Sequence, residues 1–247
     1  MDRLAIISDI HGNIPALESV LADVHTRQIK TVICLGDLAG KGPDSALAID
    51  IIKERCDVVI QGNWDDFLPN PTDYPTLKWH QEQCGQERLD YIKNLPFCYD
   101  FYLSGKRVRL FHASAKSVHY RVVPSHPLEE KLAMFDNTEA TGLFKNEKVK
   151  PDIVGYGDIH AAYLEHPMLN TLFNVGSVGN PLDIPEASYV IMNGTLGSKI
   201  ASPYSIEFVR IPYDIEASIK RARDARMPDV EPYIKELRTA EYRGRQE

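Results

Sequence analysis

A four-residue apolar run, Leu4-Ala5-Ile6-Ile7, stops abruptly at Ser8-Asp9-Ile10-His11-Gly12-Asn13. Short, continuous and rich in branched residues, it fits a strand buried on both faces. From Pro15 onward Leu17, Val20, Leu21 and Val24 recur at helical spacing, with proline in the opening turn where its missing N–H costs nothing. The chain therefore opens as strand, polar loop, helix. In open α/β sheets such a loop lies where a strand's carboxyl end and a helix's amino end face one crevice, and ligands bind there. One Asp-x-His loop has a plainer explanation, a carboxylate capping the next helix. Recurrence decides between the two.

The same design returns along the chain. Thr31-Val32-Ile33-Cys34-Leu35 ends in Gly36-Asp37, and Gly40-Lys41-Gly42-Pro43 then turns into a helix carrying Ala46, Ile49, Ile51 and Ile52. Val58-Val59-Ile60 ends in Gly62-Asn63-Trp64-Asp65. Residues 99–103 and 107–111 alternate about Ser104-Gly105-Lys106 as a hairpin does, and the second arm ends in His112. Residues 151–157 predict another short buried strand, closed by Asp158-Ile159-His160, which repeats the Asp-x-His spacing. Any single Gly-Asp or Gly-Asn is ordinary turn chemistry. Repeated delivery of Asp, Asn and His to strand ends is better explained by a shared site, and alternating strands and helices predict right-handed parallel crossovers.

Other stretches carry weaker signals. Prolines interrupt 69–75, and 77–95 predicts helices broken near Gly85, with His80 at the surface and Trp79 packed. His119 and His126 read as exposed loop residues ahead of a short helix over 127–135. The run from Leu172 to Gly179 places Gly176 and Gly179 where backbone can approach the site closely. Residues 188–192 and 205–211 predict an antiparallel pair. Ile215, Ile219 and Ala222 mark an amphipathic helix that breaks at Pro228 before a second helical piece, and the charged end, 238–247, reads as frayed or exposed.

No Gly/Ser/Pro-rich linker divides the 247 residues, so the expectation is one domain, 1–247, with a C-terminal helical extension from about 214. No apolar run approaches the roughly 20 residues of a membrane span, and the start lacks the features of a secretory signal. A soluble, cytoplasmic protein without membrane association is expected. Cys34, Cys56, Cys84 and Cys98 form no Cys-x-x-Cys pair and read as buried thiols. A net charge of -7 argues against bulk nucleic-acid binding. A small phosphorylated substrate remains compatible, because a local cationic centre can hold an anion on an acidic protein. No feature of the sequence fixes an oligomeric state.

The ordered set of Ser8–Asn13, Gly36-Asp37 with Gly42-Pro43, Gly62-Asn63, His112, Gly157-Asp158-x-His160 and Gly176-Ser177-Val178-Gly179 resembles the calcineurin-like metallophosphoesterases, and more closely their small bacterial and archaeal phosphodiesterase branch. The resemblance runs to about Pro185. It implies a four-layer α/β/β/α sandwich with two metal ions at the strand ends, roughly 3.5–4 Å apart. By that resemblance Asp9, His11 and His160 hold one ion, Asn63, His112 and Asp158 hold the other, and Asp37 bridges them. Asp9, Asp37 and Asn63 are then the catalytic set, with Asn63, Trp64 and Lys41 toward substrate. Mixed oxygen and imidazole donors suit manganese or iron, with zinc, nickel or magnesium also compatible. The implied activity is hydrolysis of phosphodiester or phosphoanhydride bonds, in nucleotide or dinucleoside-polyphosphate substrates, by a hydroxide bridging the metals. A serine/threonine protein phosphatase and a degenerate metal or nucleotide sensor are the alternatives.

Two positions depart from the family pattern. Trp64 stands where the family has a histidine after Gly-Asn, and indole cannot act as an acid toward a leaving oxygen. Asp158 stands where the family has the first histidine of Gly-His-x-His. A carboxylate ligand there adds negative charge, which predicts a preference for harder cations and a less acidic bridging water.

Overall fold

The computed structural model describes residues 1–244. In chain order its elements are β1 (Asp2–Ile7), α1 (Ile14–Thr26), β2 (Thr31–Cys34), α2 (Ser45–Arg55), β3 (Val58–Val59), α3 (Asn63–Phe67) and α4 (Pro75–Lys93). Then follow β4 (Cys98–Leu103), β5 (Lys106–Phe111), α5 (Leu128–Ala133), α6 (Leu143–Asn146), β6 (Ile153–Tyr156), β7 (Tyr163–Glu165) and β8 (Thr171–Asn174). The chain continues through β9 (Ala187–Gly194), β10 (Ser205–Ile211), α7 (Ile215–Asp224) and α8 (Val230–Thr239).

The strands form two five-stranded sheets, ordered β10-β9-β1-β2-β3 and β4-β5-β6-β8-β7. In the first, β1, β2 and β3 run parallel, with Leu4 opposite Thr31 and Ile33 opposite Val58, while β9 and β10 close the other edge antiparallel. In the second, the β4–β5 hairpin feeds a parallel β5-β6-β8 core. Alternation along β1 assigns the layers: Ala5 and Ile7 pack with α1, α2 and α4, whereas Leu4 and Ile6 join Ile33, Val190 and Met192 against the second sheet. Burying each such side chain contributes about 1.5–3 kcal/mol, so the faces of β1 fix which way its end can point. The result is the expected α/β/β/α sandwich.

The fourth layer is thin, made of α5, α6 and their connections. Arg109, on the outward face of the hairpin by its alternation, is fully buried beneath that layer: it forks onto Asp100 at 2.7 and 2.9 Å and lies over the Phe144 ring.

Helix α4 is interrupted at Gly85, whose φ of +69° is the left-handed conformation that glycine tolerates. The C-terminal helices form their own apolar cluster, Ile219, Ala222, Tyr233, Ile234 and Leu237, with Trp79 against it. None of the four cysteines is bridged; Cys34 and Cys84 are buried and Cys56 and Cys98 half-buried. No helix among the described residues is long and apolar enough to cross a membrane.

Candidate metal centre

The polar residues that end the strands meet in one place. Asp9, His11 and His160 form one group of closely spaced ligand atoms, and Asp9, Asp37 and His112 form a second. All five side chains are buried. Asp9, His11, Asp37, Asp158 and His160 have φ between +48° and +64°, so the backbone turns sharply at each strand end. Outside glycine that conformation is uncommon, and clusters of it mark sites where structure is held for function. Glycines admit the close approaches: a Cβ at Gly179 would collide with the Ile10 carbonyl, and one at Gly62 with the Asp37 carboxylate.

Hydrogen bonds fix how the imidazoles present themselves. Nδ1 of His11 lies 3.2 Å from the Ala39 carbonyl, that of His112 2.7 Å from Leu35, and that of His160 2.5 Å from Asn180. A carbonyl only accepts, so each Nδ1 is the donor and each neutral ring aims its Nε2 lone pair at the cluster. The His11 and His160 Nε2 atoms lie 3.2 Å apart, and His160 Nε2 lies 3.1 Å from Asp9 Oδ1. Asp9 Oδ1 is buried and has no hydrogen-bond donor among the described residues. Acceptors converging at these distances repel one another unless a positive charge joins them. The donor set therefore fits a cation.

Asp37 sits between the groups, one oxygen 3.5 Å from His11 Nε2 and the other 3.5 Å from His112 Nε2. Its Oδ1 also accepts the Trp64 backbone N–H at 2.8 Å. Asn63 Oδ1 lies 3.0 Å from His112 Nε2. Burial opposes ionisation of Asp9, yet His160, His112 and His11 hold its carboxyl well below the usual range. His11 is pushed well below its ordinary value by burial, then by Lys41 and His160, which leaves it neutral. Burial also pushes His112 down, but Asp37 and Asp9 reverse this and raise it to about 10. A cation bound at Nε2 would take the place of that proton and leave the ring neutral.

Asp158 is the exception. Its carboxylate is forked by Arg121, Nε to Oδ2 at 2.9 Å and Nη2 to Oδ1 at 2.7 Å, and it lies outside both ligand groups. Of the seven residues expected to ligate, six converge, and Asp158 is drawn off by a guanidinium from a loop. Its backbone N–H still donates to Asp9 Oδ2 at 3.1 Å.

Lys41 and Trp64 line the same cavity, of about 260 Å³, with Asp37, Asn63 and His160. Lys41 is not a solvated loop lysine: Nζ donates to Asn180 Oδ1 at 2.9 Å, and burial lowers it to about 8. Trp64 packs over Gly40, stands edge-on to His11 at 5.8 Å and contacts Phe67. A larger surface groove between α1 and α7, lined by Glu18, Asp214 and Lys220 among others, holds none of the clustered residues.

One expectation needs correction and one is sharpened. His80 is fully buried rather than at the surface, because it lies beneath Trp79 and Trp64 and Nδ1 contacts Ser45 Oγ at 3.1 Å. The C-terminal residues 241–244 are exposed as expected but docked: Arg238 pairs with Glu216, and Arg243 folds back onto buried Glu236 and reaches the cavity. Residues 245–247 of that stretch lie outside the described residues. His119 is exposed as expected, paired with Asp66 at 2.8 Å.

The sequence reading also left some residues without a role. Asp65 accepts the backbone N–H groups of Asp37, Leu38 and Gly62 at 2.7, 3.1 and 2.9 Å, fastening the ends of β2 and β3 together. Its place at the end of Gly62-Asn63-Trp64-Asp65 was the available signal. Arg121 and Asn180 offered none of that kind, because their partners lie far along the chain, and Glu236 and Arg243, though near each other in sequence, sit in a segment whose docking no local pattern marks.

A two-sheet sandwich with aspartates and histidines gathered at its strand ends is the arrangement expected of a metallophosphoesterase. The chain belongs to the calcineurin-like phosphoesterase superfamily, a metal-dependent family, whose domain matches residues 3–195. Over 257 aligned positions it is 27% identical to a protein of Methanocaldococcus jannaschii, covering 92% of this chain and 94% of that one. Its fold is similar to that of a metallophosphoesterase from Sphaerobacter thermophilus, with a TM-score of 0.71 at 22% identity over 96% of this chain and 99% of the other. It is also similar to a protein of Pyrococcus horikoshii, with a TM-score of 0.76 at 17% identity over 98% and 100%.

Proposed function

We propose that the chain is a two-metal hydrolase of phosphodiester or phosphoanhydride bonds in small nucleotide-type substrates. The observation that carries this is the convergence of three Nε2 atoms, each set by an Nδ1–H···O=C bond, on Asp9 and Asp37. Asp9, His11 and His160 would hold one ion, Asn63 and His112 the other, and Asp37 both. Such ions, manganese or iron by the donor set, supply Lewis-acid stabilisation and acidify water when bound.

The chain's own residues do the rest. The Trp64 N–H holds Asp37 in place from behind its Oδ1. Asn63 and Lys41 stand where a phosphoryl oxygen would be met from the protein side. The Trp64 indole, at the position beside Asn63, has no titratable proton for a leaving oxygen. Substrates whose leaving group is already stable as an anion, anhydrides and aryl esters, are therefore favoured over alkyl monoesters.

The test is a panel with manganese-loaded protein: nucleoside polyphosphates, bis(4-nitrophenyl) phosphate and alkyl monoesters. Turnover of the first two above the third is expected. Equal or faster turnover of alkyl monoesters contradicts the leaving-group argument. The pairing of Asp158 with Arg121, with Trp64 in place of the family's histidine, favours a non-catalytic sensor, and metal binding without turnover of any member of the panel would support that reading instead.

A further inference from the structure

The metal-capable cluster forms the buried floor of its cavity, and the rim is cationic. Lys41, Arg121 and Arg243 all line it, with Tyr242 beside them. Arg243 comes from beyond α8, outside the segment matched to the family domain.

Its guanidinium is fixed by Glu236, Nε to Oε1 at 2.9 Å and Nη2 to Oε2 at 2.6 Å, and its backbone N–H donates to Oε1 at 3.0 Å. Glu236 is fully buried and forms no part of the cavity wall. It also accepts from Asn180 Nδ2 at 3.2 Å, while Asn180 Oδ1 accepts from Lys41. A buried carboxylate is costly unless its partners are well placed. Here it orients two cations toward the cavity while showing the cavity no negative charge.

A second cavity of about 210 Å³ adjoins the first and shares Lys41, Arg121, Asp158, His160 and Tyr242 with it. Its other walls include Val123, Ile159 and Leu182. The second cavity thus opens beside the same cations and His160, and Val123, Ile159 and Leu182 give it an apolar side.

We propose that Lys41, Arg121 and Arg243 form a second anion subsite, completed by the C-terminal extension, that holds the phosphate next to the scissile one. The ligand class is a nucleoside di- or polyphosphate, with its nucleoside against Val123, Ile159 and Leu182. The Nε–Nη2 forks of Arg121 and Arg243 are held by Asp158 and Glu236, which leaves the Nη1 N–H groups and the Lys41 ammonium to meet phosphate oxygens, and an apolar wall beside that cluster suits the nucleoside of this class. This rests on the phosphoesterase reading above.

The test is calorimetric and needs no turnover. Manganese-loaded wild type, Arg243→Ala and Arg243→Lys are titrated with methylenebisphosphonate, which cannot be hydrolysed at its P–C–P bridge, and with methylphosphonate, which has a single phosphoryl group. Arg243→Ala should lower the ratio of bisphosphonate to monophosphonate affinity by about tenfold or more, the worth of a charge-assisted hydrogen bond, and Arg243→Lys should restore part of it. A ratio unchanged in Arg243→Ala overturns the subsite. A circular-dichroism melt confirms that each variant is folded; if Arg243→Ala is not, Lys41→Met is titrated in its place and must lower the same ratio. Failure of wild type to hydrolyse the substrate panel would count against the proposed function alone, since the affinity ratio is measured independently of it.

Discussion

The two halves of the site are built to different standards. The half made by β1 and the turn after β6 is closed: Asp9, His11 and His160 are buried, and Ser177 and Asn180 brace them from the Gly176–Gly179 loop through bonds to the Asp9 carbonyl and from His160. The half made by β3 and β5 is open. His112 is buried, but Asn63 is half-exposed and the expected third donor, Asp158, is committed to Arg121. At that strand end a carboxylate stands in place of the family's histidine, and a single arginine holds it. The difference predicts unequal cation affinity, with the Asp9 half filling first.

The largest effect is expected where the halves join. Asp37→Asn removes the charge both would share, and hydrolysis of bis(4-nitrophenyl) phosphate should fall by well over the roughly 10–100-fold that loss of an outer-shell partner costs. Steady-state turnover measures this, and near-wild-type activity would break the two-metal reading.

Next comes the asymmetry itself. In manganese titrations His160→Ala should abolish the tighter binding step, whereas Asn63→Ala should weaken only the looser one. If both variants lose the same step, the halves are equivalent and the contrast is wrong. A smaller effect is expected at Asp158. Asp158→Ala should keep both binding steps within a few-fold, since its carboxylate faces Arg121; loss of one equivalent in that variant would restore it as a ligand.

The smallest effect on the cage is expected at His80, which supports the Gly40–Gly42 turn through Ser45 Oγ, itself the acceptor of the Gly40 N–H. Burial lowers its pKa to about 4, with Asp229 opposing. The folded state thus resists a proton that the unfolded chain takes up below about 6.5. The neutral ring's contribution is whole above that pH and is lost as pH falls toward 4, by up to roughly 3 kcal/mol. Chemical unfolding of wild type and His80→Gln at pH 7 and pH 4.5 should show a shallower decline in the variant.

The site's legibility in the sequence follows the same division. Asp9, His11, Asp37, Asn63, His112 and His160 each end an apolar run, so local chemistry and strand direction place them together. The two-sheet sandwich followed from the family resemblance those strand-end motifs carry, since the continuous apolar run of β1 marks a strand buried on both faces without showing what covers it. Arg121 reaches Asp158 from a loop 37 residues away, and Glu236 binds Asn180 across 56 residues. Neither contact leaves a periodicity or a motif. Asp158 therefore read as a ligand, and the C-terminal residues that reach the cavity read as a charged tail. His80 was misplaced because α4 carries little amphipathic pattern, and the face that meets Ser45 is defined only by packing.

Anomalous diffraction from crystals equilibrated with manganese addresses the cage most directly. Two peaks are expected, one bounded by Asp9, His11 and His160 and the other by Asn63 and His112, with Asp37 reaching both and the peak of the Asp9 half the stronger at limiting metal. Absence of density between those side chains at saturating manganese, with His11 and His160 still facing each other unbridged, would contradict it.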